Sequence, residues 1–233
     1  MGLIRIELNA YADKEKAKVL QGFFKTGVGQ YGEGDFFLGV VVPKQRIIVK
    51  KIKDSVGFEE LKESLKSRIH EERLVVLLIL VEKYKKADVE GKKAVFDFYI
   101  KNLTGINNWD LVDLSAPNIV GDYLLKKDSA LLYKLAKSEN IWERRIAIVS
   151  TFTFIRAGLF DDALKISDIL LSDSHDLIHK AVGWMLREVG KKNEKVLKEF
   201  LRTRYKRMPR TMLRYAIERF DEEERKRWLT SKI

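Results

Sequence analysis

Cysteine is absent from this chain of 233 residues, which excludes disulfides, thiolate metal sites and a cysteine nucleophile together. Proline occurs only at 43, 117 and 209, so little interrupts helical structure. Histidine is as scarce, with three copies. The longest unbroken apolar run, 74–81, is far shorter than the ~20 residues of a membrane-spanning helix. The opening Met-Gly-Leu-Ile-Arg-Ile has neither the apolar centre of a signal peptide nor the Ser/Thr at position 6 that myristoylation prefers. A soluble cytoplasmic protein without membrane association is therefore expected. Alternating strand patterns with hairpin turns are also scarce. Only 36–43 could form a strand, and it reads better as the apolar lead-in to a helix.

What is abundant is charge. There are 45 Lys and Arg against 34 Asp and Glu, a formal net charge of +11. A basic protein favours polyanionic partners, because neutralising phosphates releases condensed counterions. A Lys/Glu-rich solubility coat would give the same total, so distribution matters more. Residues 201–214 carry Arg202, Arg204, Lys206, Arg207, Arg210 and Arg214 without one acid, whereas 221–224 is wholly acidic. Such segregation points to a basic patch.

Beyond residue 57 the apolar residues recur with helical period. Helices are expected over 58–69, 72–85, 130–137, 141–156, 161–171, 176–189, 194–204 and 209–220, joined by short polar links whose Ser, Asp and Asn can cap the next helix. The class is all-α. The helices also repeat. Aligning the second helix of each pair gives a register of Arg73, Trp109, Arg145, Lys180 and Arg214, spaced 36, 36, 35 and 34 residues apart. Two positions on stand Val75, Leu111, Ala147, Val182 and Ala216; three on stand Val76, Val112, Ile148, Gly183 and Ile217. All ten are apolar or small, as a shared seam requires. A period near 35 built from antiparallel helix pairs indicates HEAT-like repeats in one curved solenoid domain, 1–233, with a basic concave groove.

At 100° per residue the register position and the one four residues later point away from that seam. The first row is mostly basic, and the second reads Leu77, Asp113, Val149, Trp184 and Glu218. Along one helix Lys180, Trp184, Arg187 and Lys191 continue a single stripe. A basic row with two tryptophans suits a nucleic-acid backbone and a flat or cationic group held against rings. The alternative is that Trp184 packs against the next repeat while the cations are merely solvated.

Three motifs need separate weighing. Gly27-Val-Gly29-Gln-Tyr-Gly32 spells the dinucleotide fingerprint, but a helical stretch (15–25) precedes it and no βαβ unit follows, so it reads as a glycine-rich loop. His175 and His179 stand one helical turn apart with only His70 elsewhere, too few ligands for a catalytic zinc. His175 is expected to begin a helix, and no metal is expected. In Asn107-Asn-Trp109-Asp110-Leu-Val-Asp113, Asp110 falls in a first helical turn, where the helix dipole suffices to explain a carboxylate. Asp113 lies on the groove-facing stripe, where a negative charge opposes phosphate binding. Either catalysis involving positive charge or an arginine partner would explain it.

Trp109-Asp-Leu-Val-Asp113, Trp142-Glu-Arg-Arg145-Ile-Ala and Lys180-Ala-Val-Gly-Trp184-Met-Leu-Arg187-Glu, with the earlier Phe-Leu-Gly-Val…Pro43 segment, resemble the DNA alkylation repair family, AlkD-like glycosylases built of HEAT-like repeats. The resemblance runs in the same order along nearly the whole chain. It implies a monomer that binds double-stranded DNA containing alkylated bases and removes N3- and N7-alkylated purines, without a cofactor and without a deep base-flipping pocket. By the same resemblance Asp113 is the catalytic carboxylate, Trp109 and Trp184 flank the lesion, and Arg145 contributes to the cleft. Arg73, Lys180, Arg187, Lys191 and Arg214 are the expected phosphate contacts. The competing readings are a helical-repeat module that binds distorted or branched DNA without chemistry, and a protein-interaction scaffold.

Overall fold

A computed structural model describes residues 2–231, which form two compact units, one ending at Ser115 and the other beginning at Ala116. Both are helical. Among the described residues the sole β interaction is an isolated parallel bridge between Phe36 and Ile69, so 36–41 is an irregular lead-in and 42–43 already belong to the helix that follows.

The first unit contains α1 (Leu3–Asn9), α2 (Lys14–Phe23), α3 (Val42–Ile52), α4 (Phe58–Leu65), α5 (His70–Lys86), α6 (Val89–Lys101) and all but the last residue of α7 (Trp109–Ala116). Its centre is α5, whose residues 70–81 are all buried. The eight-residue apolar run inside it explains this, since a helix apolar on every face must be covered on every face. α1, α3, α4 and α6 pack around it. Asp13 caps α2 by accepting from the amides of Glu15 and Lys16. Lys25 closes α2 in the left-handed region, at φ 55, while the Thr26 amide reaches back to the Gln21 carbonyl. Glycine is the usual residue at such a position. Gly39 is forced: at φ +84, a Cβ there would lie 2.0 Å from the Asp13 carbonyl oxygen.

In the second unit, a π-helical turn (Pro117–Gly121) leads into the short α8 (Asp122–Leu124). Then come α9 (Ala130–Ala136), α10 (Ile141–Arg156), α11 (Asp161–Ile169), α12 (Asp176–Lys192), α13 (Glu194–Arg202), α14 (Arg210–Ala216) and α15 (Glu222–Thr230). α10 packs on α12 and α12 on α14, with α9, α11 and α13 alternating between them in sequence. Close approach of α12 and α14 depends on Gly183, where a Cβ would stand 2.6 Å from the Met212 carbonyl oxygen and 2.5 Å from the Tyr215 Cβ.

The seam positions two and three beyond the register are buried in both units, from Val75 and Val76 to Ala216 and Ile217. α10 matches its expected limits, with Asn140 capping through the Trp142 amide, and His175 caps α12 as expected, its ring Nδ1 accepting from the Leu177 amide. Expected limits are corrected most at two helix ends: α4 stops at Leu65, short of residue 69, and α14 stops at Ala216, short of Phe220. The second outward row is not uniformly outward, because Leu77 and Val149 are fully buried.

Candidate functional site

The first turn of α5 places four charged side chains in succession inside the first unit. His70, Glu71, Glu72 and Arg73 are each at most 4 % exposed, and buried charges require partners. His70 lies between two carboxylates, its Nδ1 3.1 Å from Asp35 and its Nε2 2.8 Å from Asp110. The imidazolium form satisfies both, donating from each nitrogen. Burial works against that charge, but the adjoining Asp110 and Asp35 outweigh it and raise the His70 pKa. Burial likewise pushes Asp35 up, yet the His70 hydrogen bond and the Arg73 charge prevail and hold its pKa below the usual carboxylate range.

The other three tether different segments. Glu71 accepts backbone N–H bonds from Leu38, Gly39 and Val40 at 2.8–3.2 Å. Glu72 receives a forked bond from Arg5 of α1. Arg73 donates to Asp35 at 2.7 Å and to the Ser67 carbonyl at 2.6 Å. Arg73, expected to face phosphates, is thus spent inside the fold, which corrects that assignment.

This network adjoins the start of α7. Asp110, expected to serve the helix terminus, accepts from the Leu111 amide and from His70. Beside it, the Trp109 indole stacks on Phe24 at 5.2 Å and 10°, with Phe23 edge-on at 5.9 Å and 74°. Phe24 also meets the His70 ring at 4.8 Å. The residues on either side of the glycine-rich loop thus reach α7 and α5: Phe23 and Phe24 pack on Trp109, and Asp35 bonds His70 and Arg73. Asp113 follows one turn later on α7, half-buried. Its charge adds to the burial that drives up the pKa of the fully buried Tyr99, which is bonded to Ser115. A polar cavity of about 490 Å³ opens among 33–35, 65–68 and 102–107, and its lining includes neither Trp109 nor Asp113.

In the second unit, Arg145 is buried and donates from Nη1 to the Leu177 carbonyl at 2.6 Å, securing the start of α12. As a residue reaching into a cleft it is misplaced, and its geometry is that of a brace. Along α12, Lys180 pairs with Asp176 at 2.7 Å, Trp184 packs on Phe152 at 5.7 Å and stays partly exposed, Arg187 pairs with Glu218, and Lys191 pairs with Glu188. Arg214 is exposed on α14. His179 bonds the Asp173 carbonyl through Nε2. Among the described residues no cluster of His, Asp and Glu could hold a metal ion.

The model of the DNA alkylation repair enzyme family matches residues 4–220. The chain belongs to this family. Solved structures agree in fold. A predicted DNA alkylation repair enzyme from Enterococcus faecalis shares 17 % identity at TM-score 0.69, covering 91 % of this chain and 97 % of that one. AlkD2 from Streptococcus mutans shares 18 % at TM-score 0.53, covering 89 % and 99 %. No curated protein matches. Family and fold together indicate DNA alkylation repair. The family match spans Trp109, Asp113 and the whole α12 stripe, and equally the charged turn of α5, which sequence reasoning missed. No helix among the described residues is long and apolar enough to cross a membrane.

Proposed function

We propose that this member of the family is a DNA glycosylase that excises N3- and N7-alkylated purines from duplex DNA. The observation that carries the reading is the pairing on α7 of a rigidly held indole with a carboxylate one turn on: Trp109 is fixed by Phe24, and Asp113 follows on the same stripe.

An N3- or N7-alkylated purine bears a positive charge and is already a good leaving group. As the bond from C1′ to the base nitrogen breaks, its electron pair passes to the base and neutralises it, while the sugar gains oxocarbenium character. The Asp113 carboxylate stabilises that charge and takes the proton of the water that adds to C1′, leaving an abasic site and a free base. Cation–π contact with an indole adds ~0.5–2 kcal/mol. Trp109 supplies such a face. Lys180, Arg187, Lys191 and Arg214 take phosphates and fix register, and Arg145 serves by bracing the helix that carries three of them. Charge and shape of a lesion that weakens its own bond lower the demand for a deep base pocket.

Asp113→Asn decides the matter. Release of 7-methylguanine from methylated duplex should be abolished, with DNA affinity equal or higher because a repulsive charge is removed. Excision at the wild-type rate rejects the assignment, and tight binding to branched DNA without release of any base by the wild type favours the non-catalytic alternative.

A further inference from the structure

α2 is built unlike the other helices of the first unit. None of its described residues is buried, and it is held through backbone contact, with the Asp13 amide on the Leu38 carbonyl and Gly39 against Asp13 and Ala17. Its outer face carries Val19 and Phe23, one turn apart and 70 % and 61 % exposed, and Val28 follows at 94 %. Single exposed apolar residues are ordinary. Here three fall within one segment, 14–28, that has four lysines and only Glu15 against them. Basic groups around an apolar projection match a polyanion with an apolar interior, and duplex DNA is such a partner.

Two details sharpen this. Phe23 is not loose: its ring rests edge-on against Phe24 at 5.2 Å and against Trp109 at 5.9 Å, so its outer part projects from a fixed base one ring away from the indole. Lys25 holds the left-handed position that closes α2, where glycine would relieve the backbone. Its side chain is exposed.

We propose that the end of α2 is a DNA-contact element, in which Phe23 wedges into a base step beside the damaged nucleotide and Lys25 binds a neighbouring phosphate. Apolar wedges unstack such steps at low cost where a lesion has already weakened them. The inference rests on the DNA-repair reading only in taking duplex DNA as the partner, and it is independent of Asp113.

The test uses the full chain and a duplex with 2-aminopurine beside a tetrahydrofuran abasic analogue, which cannot be excised. Binding of the wild type should raise 2-aminopurine fluorescence several-fold. Phe23→Ala should abolish the rise and weaken binding about 5- to 140-fold, as loss of one base–aromatic contact implies, while Phe23→Tyr restores both. Lys25→Gly should leave thermal stability equal or higher and reduce the slope of log K against log salt by about 0.9. A wild-type complex without a fluorescence rise, or a Phe23→Ala protein with an undiminished one, overturns the proposal. Failed excision of 7-methylguanine with the fluorescence rise intact would remove the glycosylase assignment alone.

Discussion

Removing Asp35 tests the charged turn of α5 most directly. Asp35→Ala leaves Arg73, 3 % exposed, with the Ser67 carbonyl as its remaining partner shown here, and leaves His70 with Asp110 alone. Two charge-assisted bonds to one carboxylate oxygen disappear, and an uncompensated guanidinium stays buried. Breaking a buried ion pair from one side costs about 3–5 kcal/mol. For a chain of this size that corresponds to a fall in Tm of about 6–20 °C. Urea denaturation followed by circular dichroism gives the free energy directly, and calorimetry gives Tm. The double variant Asp35→Ala/Arg73→Met removes both charges and should be appreciably more stable than the sum of the single losses predicts. A loss below about 1 kcal/mol for Asp35→Ala, or additivity within about 0.5 kcal/mol in the cycle, refutes the reasoning.

The same cluster predicts a pH window. The raised pKa of His70 makes its contribution complete below about pH 6.5 and lost as pH climbs through the higher folded-state value; the lowered pKa of Asp35 makes its contribution present above about pH 3.9 and lost in acid. Tm should plateau between these limits, and His70→Gln should remove the decline on the alkaline side while keeping the acid limb; an unchanged alkaline limb contradicts the assignment. Gly183→Ala forces α12 from α14 and should cost about 1–3 kcal/mol in urea unfolding, whereas a neutral result would mean that those helices separate freely. Arg145→Met should lower affinity for duplex DNA by disordering the start of α12, with hydrogen exchange of amides near Leu177 accelerated; unchanged exchange there excludes a bracing role.

The helical class and the ten seam positions were legible because burial imposes a period that local residues must obey, and helix starts at Asn140 and His175 were legible because caps are local chemistry. The charged turn of α5 was not. His70-Glu-Glu-Arg73 reads like any exposed helix start, and Asp35, Leu38 and Arg5 lie more than thirty residues away. One signal was present: eight apolar residues in unbroken succession cannot spare a face for solvent, so the turn preceding them is drawn inside as well and its charges must find partners. The register failed for Arg73, Leu77, Arg145 and Val149 because a face that points away from one seam is still covered wherever another segment crosses it. Individual roles for Trp109, Asp113 and Trp184 came from family resemblance rather than periodicity.

Four neighbouring side chains of α5 together hold four stretches of the first unit: α1, the 38–40 backbone, Asp35 and the start of α7. Such knotting at one point makes detachment collective. When that single helical turn melts, these tethers are lost together, so the amide protons of the first forty residues should become exchangeable in one concerted opening rather than fraying inward from the end.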